Sequence, residues 1–158
     1  MHQNFDVENE VPVSEKTIAI ACDHGGFDLK ETLKSILSER GYDVVDLGAH
    51  STDSVDYPDY GAALATEIEK GTAAKGVLIC GSGIGISIAA NRNPAVRAAV
   101  CHSGLTARLA RQHNDANVLS IGARIIGLET AIDCLNEFLN TEFEGGRHER
   151  RVAKLGSA

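Results

Sequence analysis

The chain has 158 residues, of which 43% are hydrophobic and 23% are charged, a balance typical of one globular domain. The formal net charge of −7 argues against nucleic acid as a partner, because binding to a phosphate backbone needs a broad basic face. No apolar stretch approaches the ~20 residues that a membrane-spanning helix requires. Neither a nucleic acid nor a membrane is therefore expected as a partner.

The first 14 residues are predicted to form a flexible acidic extension, because Asp6, Glu8 and Glu10 occur there without hydrophobic periodicity. This segment lacks the basic start and long apolar run of a signal peptide, so a cytoplasmic location is expected. The four cysteines show no Cys-x-x-Cys spacing, which predicts reduced thiols rather than a disulfide framework or a zinc knuckle. Residues 15–158 are expected to form one domain that ends in a basic tail.

Short apolar runs alternate with helical patterns along this domain. Strands are predicted at 17–22, 43–47, 77–80, 96–101 and 118–121, and apolar helix faces at 29–37, 63–68, 84–91, 105–112 and 128–139. Five repeats of a strand followed by a helix predict the α/β class. The expected architecture is a Rossmann-like three-layer fold, with a five-stranded parallel sheet, helices on both faces and right-handed crossovers.

The strand that ends at Cys80 runs directly into three glycines spaced two apart, at positions 81, 83 and 85. A helix that begins near Ile84 would present amides without intrahelical partners, which makes the loop an anion cradle. The partial positive charge of this helix end favours a thiolate, so Cys80 could act as a base. The alternative is a structural cysteine, since strand cysteines are mostly small buried apolar residues.

Two better-known glycine loops do not match this segment. The dinucleotide fingerprint needs a third glycine where the chain has Ile86, and the next strand ends in Cys101-His102 instead of an acidic residue. The nucleotide P-loop needs a Gly-Lys-Ser/Thr triplet, which does not follow. Neither NAD nor ATP is expected, and no cofactor is predicted.

The order of elements sorts polar residues between the two edges of the sheet. Six polar residues follow strands, which places them at the carboxyl edge where open α/β sheets bind ligands. They are Asp23, His24, Cys80, Ser82, His102 and Arg124. Residues that follow helices lie at the opposite edge, and these are His113, Asn114 and the tail arginines. If both groups form one site, one of them must come from a second copy of the chain.

Several motifs occur in the order found in one known family. They are Cys-Asp-His-Gly-Gly-Phe at 22–27, Asp-Tyr-Pro at 56–58, Cys-Gly-Ser-Gly-Ile-Gly-Ile-Ser-Ile-Ala-Ala-Asn at 80–91, Arg-Gln-His-Asn-Asp at 111–115 and Glu-Gly-Gly-Arg-His-Glu-Arg-Arg at 144–151. These motifs resemble the type-B ribose-5-phosphate isomerases, which are related to galactose-6-phosphate and allose-6-phosphate isomerases. The resemblance runs from about Lys16 to about Val152.

The resemblance implies interconversion of an aldose phosphate and a ketose phosphate through an enediolate, without a metal. Cys80 would be the base that moves a proton between C2 and C1, and His113 with Asp23 matches the pair that opens the sugar ring. The anion hole for the enediolate oxygen would be formed by Ser82 with Gly81, Gly83, Ile84 and Gly85. Fixed dipoles aimed at developing charge suit that task.

The resemblance also assigns the remaining binding residues. His24, Arg124, Arg147 and Arg151 match the phosphate-binding positions, while Tyr57 and Asn114 match positions that line the sugar. The placement of Cys80 and His113 at opposite edges predicts a homodimer with shared active sites, with a tetramer as the alternative. Simpler roles stay open, since Asp23 could only cap a helix, and His113 could only end one.

One split within the family concerns the base. Members without the cysteine place a glutamate a few residues further along the loop, where this chain has Ile86, so the chain resembles the cysteine type. Two rival interpretations remain: a phosphosugar-binding protein without catalysis, and a metalloenzyme with Cys80, His24 and His102 as ligands. His102 and His148 are otherwise treated as structural or peripheral, and the preferred sugar phosphate is left open.

Overall fold

The computed structural model describes residues 13–156. Its strands are β1 Thr17–Cys22, β2 Asp43–Asp46, β3 Lys75–Cys80, β4 Ala98–Val100 and β5 Val118–Gly122. Its helices are α1 Val13–Lys16, α2 Phe27–Glu39, α3 Tyr57–Lys70, α4 Ile84–Asn91, α5 Gly104–Asn114, α6 Leu128–Asn140 and α7 Arg147–Leu155. Among these helices, none combines the length and the apolar character needed to span a membrane.

The prediction of an acidic extension falls largely outside the described residues. Residues 1–12 of the predicted extension are not described, and residues 13 and 14 begin the short helix α1. The extension as such stays a prediction.

All five strands pair in parallel, in the spatial order β2-β1-β3-β5-β4. This confirms the predicted five-stranded parallel sheet. From β1 the chain continues to the neighbouring edge strand β2, whereas from β3 it continues to strands on the other side. The loops after β1 and β3 therefore diverge, and they open a crevice at the carboxyl edge, where sheets of this kind bind ligands.

Helices cover both faces of the sheet, as predicted, because neighbouring strand residues point to opposite faces. Ile18 and Ile20 of β1 pack in a cluster with α2, α5 and α6, whereas Ala19 and Ala21 pack in a second cluster with α3 and α4. A Cβ atom added at Gly61 of α3 would lie 2.7 Å from the carbonyl oxygen of Ile86. Only glycine allows α3 and α4 to pack this closely.

Strand β4 is shorter than the predicted range 96–101. The Val96 N–H donates to the Asn93 carbonyl in a turn, and the Arg97 N–H donates to the side-chain oxygen of Asn117 at 2.7 Å. The strand begins at Ala98, whose own N–H donates to the side-chain oxygen of Asn91 at 2.7 Å.

The predicted basic tail is not a loose chain end, because it forms helix α7. Its imidazole side chain, His148, is buried at 7% exposure, whereas its three arginines are exposed. The helix packs against α5. Arginines at positions 147 and 151 lie one turn apart on α7, so both can face the same ligand.

A buried ion cluster joins α2 to β2. Lys30 Nζ lies 2.7 Å from both carboxylate oxygens of Asp46, and Lys34 Nζ lies 2.9 Å from one of them. Burial opposes ionisation of Asp46, but hydrogen bonds from both lysines and from the Gly48 N–H outweigh it and lower its pKa to about 2. This cluster fixes the start of the loop that leads to α3.

Candidate active site

Cys80 ends β3 and lies against the glycine loop that begins α4. Its Sγ atom accepts a hydrogen bond from the Gly83 N–H at 3.1 Å. Gly83 has a φ of 76° and lies so near the backbone of Ile121 that a Cβ atom would come within 2.8 Å of its carbonyl carbon. Glycine is required here on both grounds. The fold thus holds the Cys80 sulfur against the first amides of the glycine loop.

The amides of the loop are not all available to a ligand. The Gly83 N–H is directed at Cys80, and the Ile84 N–H donates to Ser82 Oγ at 3.1 Å. The Gly85 amide belongs to the first turn of α4, where amides have no intrahelical partner. Because Ser82 Oγ accepts from Ile84, its hydroxyl proton can be directed towards a ligand oxygen.

The loop after β1 faces this glycine loop. Asp23 is buried, and its Oδ1 atom accepts from the Gly25 N–H at 2.9 Å, so it caps the 3₁₀ turn at His24–Gly26. A Cβ atom at Gly25 would lie 3.3 Å from that oxygen and 3.5 Å from the Gly81 nitrogen. Asp23 is thus both a cap and a neighbour of the Cys80 loop.

The His24 ring is held through one of its two nitrogen atoms. Its Nδ1 lies 3.2 Å from both the backbone N–H and the carbonyl oxygen of Val55. Either tautomer is anchored by this contact, which leaves Nε2 as the nitrogen that can meet a ligand.

Tyr57 and Arg124 complete the cluster at the carboxyl edge. A Cβ atom added at Gly85 would lie 2.7 Å from the Tyr57 ring, and one at Gly81 would lie 3.5 Å from a guanidinium nitrogen of Arg124. The Arg124 N–H also donates to the Gly81 carbonyl at 3.0 Å. The structure therefore brings Asp23, Tyr57, Ser82 and Arg124 around the Cys80 loop, with His24 next to Asp23 in the chain. Their roles in a site stay a prediction.

The other three cysteines lie in different surroundings from Cys80. Burial raises the pKa of Cys22 and of Cys134 to about 11, and burial also raises the pKa of Cys101. All four cysteines are unpaired, as predicted. All four thiols are buried, but only Cys80 lies beside the glycine loop, so Cys80 is the candidate nucleophile or base.

A second cluster forms where α5 ends and α7 begins. The rings of His113 and His148 stack with their centroids 4.5 Å apart and their planes 13° from parallel. His148 Nε2 lies 3.8 Å from Glu144 Oε2. Partial burial and the nearby His113, Arg147 and Arg151 lower the pKa of His148, whereas Glu144 raises it.

This second cluster also contains three potential metal ligands. Within the described part of the chain, the group whose ligand atoms come together is His113, Glu144 and His148, with these atoms within 4.8 Å of one another. Near-parallel rings direct their in-plane lone pairs side by side rather than towards one point, and the adjacent arginines repel cations. The rival ligand set of Cys80, His24 and His102 is not among the groups brought together.

The two clusters lie at different edges of the sheet. Cys80 ends β3, whereas Asn114 lines a cavity with Arg97 and with Ala98, the residue that begins β4. Helix α5 spans 11 residues, or about 16 Å, between its start after β4 and its end at His113 and Asn114. Within one chain the structure therefore does not bring His113, Asn114, Arg147 or Arg151 to the Cys80 loop.

Sequence reasoning gave no functional role to one member of the second cluster. His148 was treated as structural or peripheral, and it is buried against His113. Its helical spacing to Val152 and Leu155 is compatible with a buried face, but it does not identify His113 as the neighbour. The signal that was available is its place inside the Gly-Gly-Arg-His motif.

The molecule is thus a parallel α/β protein with a thiol on a glycine-rich loop at the switch point of its sheet. A family model described as Ribose/Galactose Isomerase matches residues 18–155. The chain belongs to this family, which confirms the resemblance seen in its motifs.

Similar proteins agree with this membership. Ribose-5-phosphate isomerase B of Escherichia coli strain K12 is 47% identical over 140 residues, which cover 89% of this chain and 94% of the relative. The structure of ribose-5-phosphate isomerase B from Clostridium thermocellum superposes with a TM-score of 0.88 at 49% identity, covering 89% and 95% of the two chains. The enzyme from Mycoplasma genitalium with bound ribulose-5-phosphate matches at a TM-score of 0.86 and 41% identity, covering 89% and 94%.

Proposed function

We propose that this protein is an aldose–ketose isomerase that interconverts ribose 5-phosphate and ribulose 5-phosphate, in the pentose phosphate pathway. The observation that carries the proposal is the hydrogen bond from the Gly83 N–H to Cys80 Sγ, in a chain similar to ribose-5-phosphate isomerases B along most of its length. A thiolate in this place can abstract a proton, and the Ser82 hydroxyl and the Gly85 amide can face the oxyanion that results.

The first chemical step opens the furanose ring. Asp23 takes the proton of the C1 hydroxyl, the C1–O4 bond breaks as the C1 carbonyl forms, and an imidazolium donates its proton to O4. We assign that donor to the partner's His113, because His113 of the same chain lies at the far edge of the sheet. An imidazole suits proton transfer near neutral pH.

The second step moves a proton between two carbons. The Cys80 thiolate removes the proton from C2, and the electrons move through the new C1–C2 double bond to give an enediolate. The Ser82 hydroxyl and the Gly85 amide stabilise the negative oxygen. The thiol then returns its proton to C1 while the C2 hydroxyl proton passes to O1, which leaves a ketone at C2. The step needs no metal or cofactor.

Phosphate binding would combine residues from two chains. His24 and Arg124 lie beside the Cys80 loop, and the exposed guanidinium groups of the partner's Arg147 and the partner's Arg151 would complete the site. Guanidinium groups suit phosphate oxygens because they donate two parallel hydrogen bonds. Tyr57 would line the sugar from the same chain, and so would the partner's Asn114.

The surface around the site supports a homodimer. Ile84 and Ile88 of α4 are 53% and 52% exposed, and Leu105 of α5 is 53% exposed, although all three side chains are apolar. An apolar face beside an incomplete site is what a symmetric dimer with two shared sites would cover. We also propose a cytoplasmic location, which the four unpaired cysteines support.

A rate comparison on three substrates tests the proposal. Purified protein is incubated with ribose 5-phosphate, allose 6-phosphate and galactose 6-phosphate, and ketose formation is followed. We expect the highest kcat/KM on ribose 5-phosphate. A preference for either six-carbon sugar would move the assignment within the family, and no turnover on any of the three would refute the isomerase proposal.

A further inference from the structure

We propose that His148 is a positioning residue for ring opening, because its buried imidazole holds the ring plane of His113. The inference rests on the proposed function, in which the imidazole of His113 donates the proton to the ring oxygen. His148 itself is not expected to touch the sugar.

The geometry of the pair carries the inference. The two centroids are 4.5 Å apart and the planes differ by 13°, so the rings lie face to face. His148 is only 7% exposed, whereas His113 is partly exposed. The buried ring is therefore the fixed one, and the partly exposed ring rests on it.

The backbone on both sides of the pair is tied down. The Glu144 N–H donates to the carbonyl of Gln112, the residue before His113, at 3.1 Å. The His148 N–H donates to the Gly145 carbonyl at 3.1 Å as α7 begins. These two bonds fix α5 and α7 relative to each other, so the stacking distance is set by the fold rather than by chance contact.

Burial and most of the nearby charges lower the pKa of His148 and favour its neutral ring. It is faced by His113 from α5, by Glu144 from the preceding loop, and by Arg147 and Arg151 from its own helix, and of these only Glu144 raises its pKa. Two stacked imidazolium rings would repel each other, and both arginines add to that repulsion. A neutral His148 adds no positive charge beside His113.

Ring opening depends on the plane of the donor. The N–H bonds of an imidazole lie in the ring plane, and a hydrogen bond weakens steeply when the donor angle falls. A ring at the end of a helix that turned freely about its last side-chain bond would point its proton away from O4 for much of the time. A flat neighbour that restricts this rotation keeps the proton in line.

Two substitutions at His148 distinguish the effect of a planar side chain from the effect of filling the buried space. His148→Phe keeps a planar side chain that can stack on His113, and His148→Leu fills a similar space without a plane. We expect kcat on ribose 5-phosphate to stay within about threefold of wild type for His148→Phe and to fall about tenfold or more for His148→Leu, since small misorientation of a reacting group is costly. Equal losses in both variants, at equal melting temperature, would overturn the proposal.

An exchange experiment isolates the ring-opening step. Ribulose 5-phosphate cannot close to a furanose, because its O5 is phosphorylated, so exchange of its C1 proton in D₂O requires only the Cys80 step. NMR of wild type and of His148→Leu follows this exchange. We expect similar exchange rates in both proteins, together with slower conversion of ribose 5-phosphate by the variant.

The remaining outcomes are equally decisive. If His148→Leu slows exchange and conversion by the same factor, His148 acts on the whole site and the positioning role is wrong. If wild-type protein catalyses neither exchange nor conversion, the proposed function fails and the inference fails with it. If wild type catalyses both and His148→Leu changes neither, only the inference is overturned.

Discussion

Gly83 donates its amide proton to the thiol of Cys80 at 3.1 Å, so the candidate base and the loop beside it form one hydrogen-bonded unit. The same glycine is pressed against Ile121 of the neighbouring strand β5. The rigid sheet therefore sets the position of the amide relative to the sulfur. A thiolate in that place needs no movement of the loop before it acts.

Removal of the thiol should abolish proton transfer and spare binding. We expect Cys80→Ala to lower kcat by about 10²–10⁴-fold with little change in KM, because a positioned base acts only in the transition state. Steady-state kinetics measures both constants. Cys101→Ala, which removes a buried thiol outside the loop, should keep its activity, and a Cys80→Ala protein near wild-type kcat would exclude the thiol as base.

Alkylation should discriminate among the thiols. Iodoacetamide reacts with thiolates, and burial raises the pKa of Cys22 and of Cys134 to about 11, so these two should be labelled slowly. We expect Cys80 to be modified first, with loss of activity that ribose 5-phosphate prevents. Peptide mass mapping at partial modification gives the order, and earlier labelling of Cys22 or Cys134 would contradict the assignment.

Helix α7 should contribute phosphate binding. Arg151→Ala is expected to raise KM about tenfold or more with a smaller effect on kcat, since a contact with a non-reacting phosphate is made in ground and transition states alike. Arg150→Ala is a matched control, because this exposed arginine is not among the cations that act on His148. If both variants raise KM equally, the increase comes from the loss of positive charge on α7 and not from a specific contact of Arg151 with the phosphate.

Two inactive proteins should restore activity when they form mixed dimers. Cys80→Ala and His113→Asn are unfolded and refolded together, so that hybrids contain one site with both lesions and one site with neither. Random pairing makes about half the dimers hybrid, and about a quarter of all sites should then be intact. Native mass spectrometry checks for hybrids, and hybrids without activity would show that each site lies within one chain.

The ion cluster around Asp46 should make stability depend on acid pH. Its pKa is lowered from 3.8 to about 2 in the folded protein, so its stabilisation is fully present above about pH 4 and is lost as pH falls through about 2. The contribution is at most about 2 kcal/mol, because the carboxylate keeps some contact with water.

Urea unfolding at steps between pH 6 and pH 2 measures this effect. As the pH is lowered, the unfolding free energy of wild type should decrease more steeply than that of Asp46→Asn. Asp43→Asn, which changes an exposed carboxylate of the same strand, should follow wild type. Parallel curves for wild type and Asp46→Asn would show that the cluster does not stabilise the fold.

The alternation of strands and helices could be predicted, because the spacing of apolar residues differs between the two and glycines mark where elements end. The edge at which each polar residue lies follows from that order, so the grouping of Asp23, His24 and Cys80 was also predictable. In the structure Gly25 lies between Asp23 and the Gly81 backbone, and the roles of these residues in a site stay a prediction. The separation of His113 from Cys80 was predictable for the same reason.

Other features depend on contacts that one sequence does not encode by pattern. Helix α7 carries Val152 and Leu155 at helical spacing from His148, but this pattern does not say which residue the imidazole meets. The stacking of His148 on His113 depends on tertiary packing. The Ile84 amide was expected in the anion hole, but it donates to Ser82 Oγ. Which backbone amide donates to a serine hydroxyl depends on the side-chain rotamer of the serine, and the sequence pattern does not predict that rotamer.

The distance between the two clusters ties turnover to assembly. Under the shared-site proposal, a single chain has the base and part of the phosphate-binding site but lacks the imidazole that opens the ring. Such a chain can be folded and still be inactive. Specific activity should then decline on dilution, in step with the fraction of paired chains, so that the abundance of the protein in its surroundings becomes a determinant of its rate.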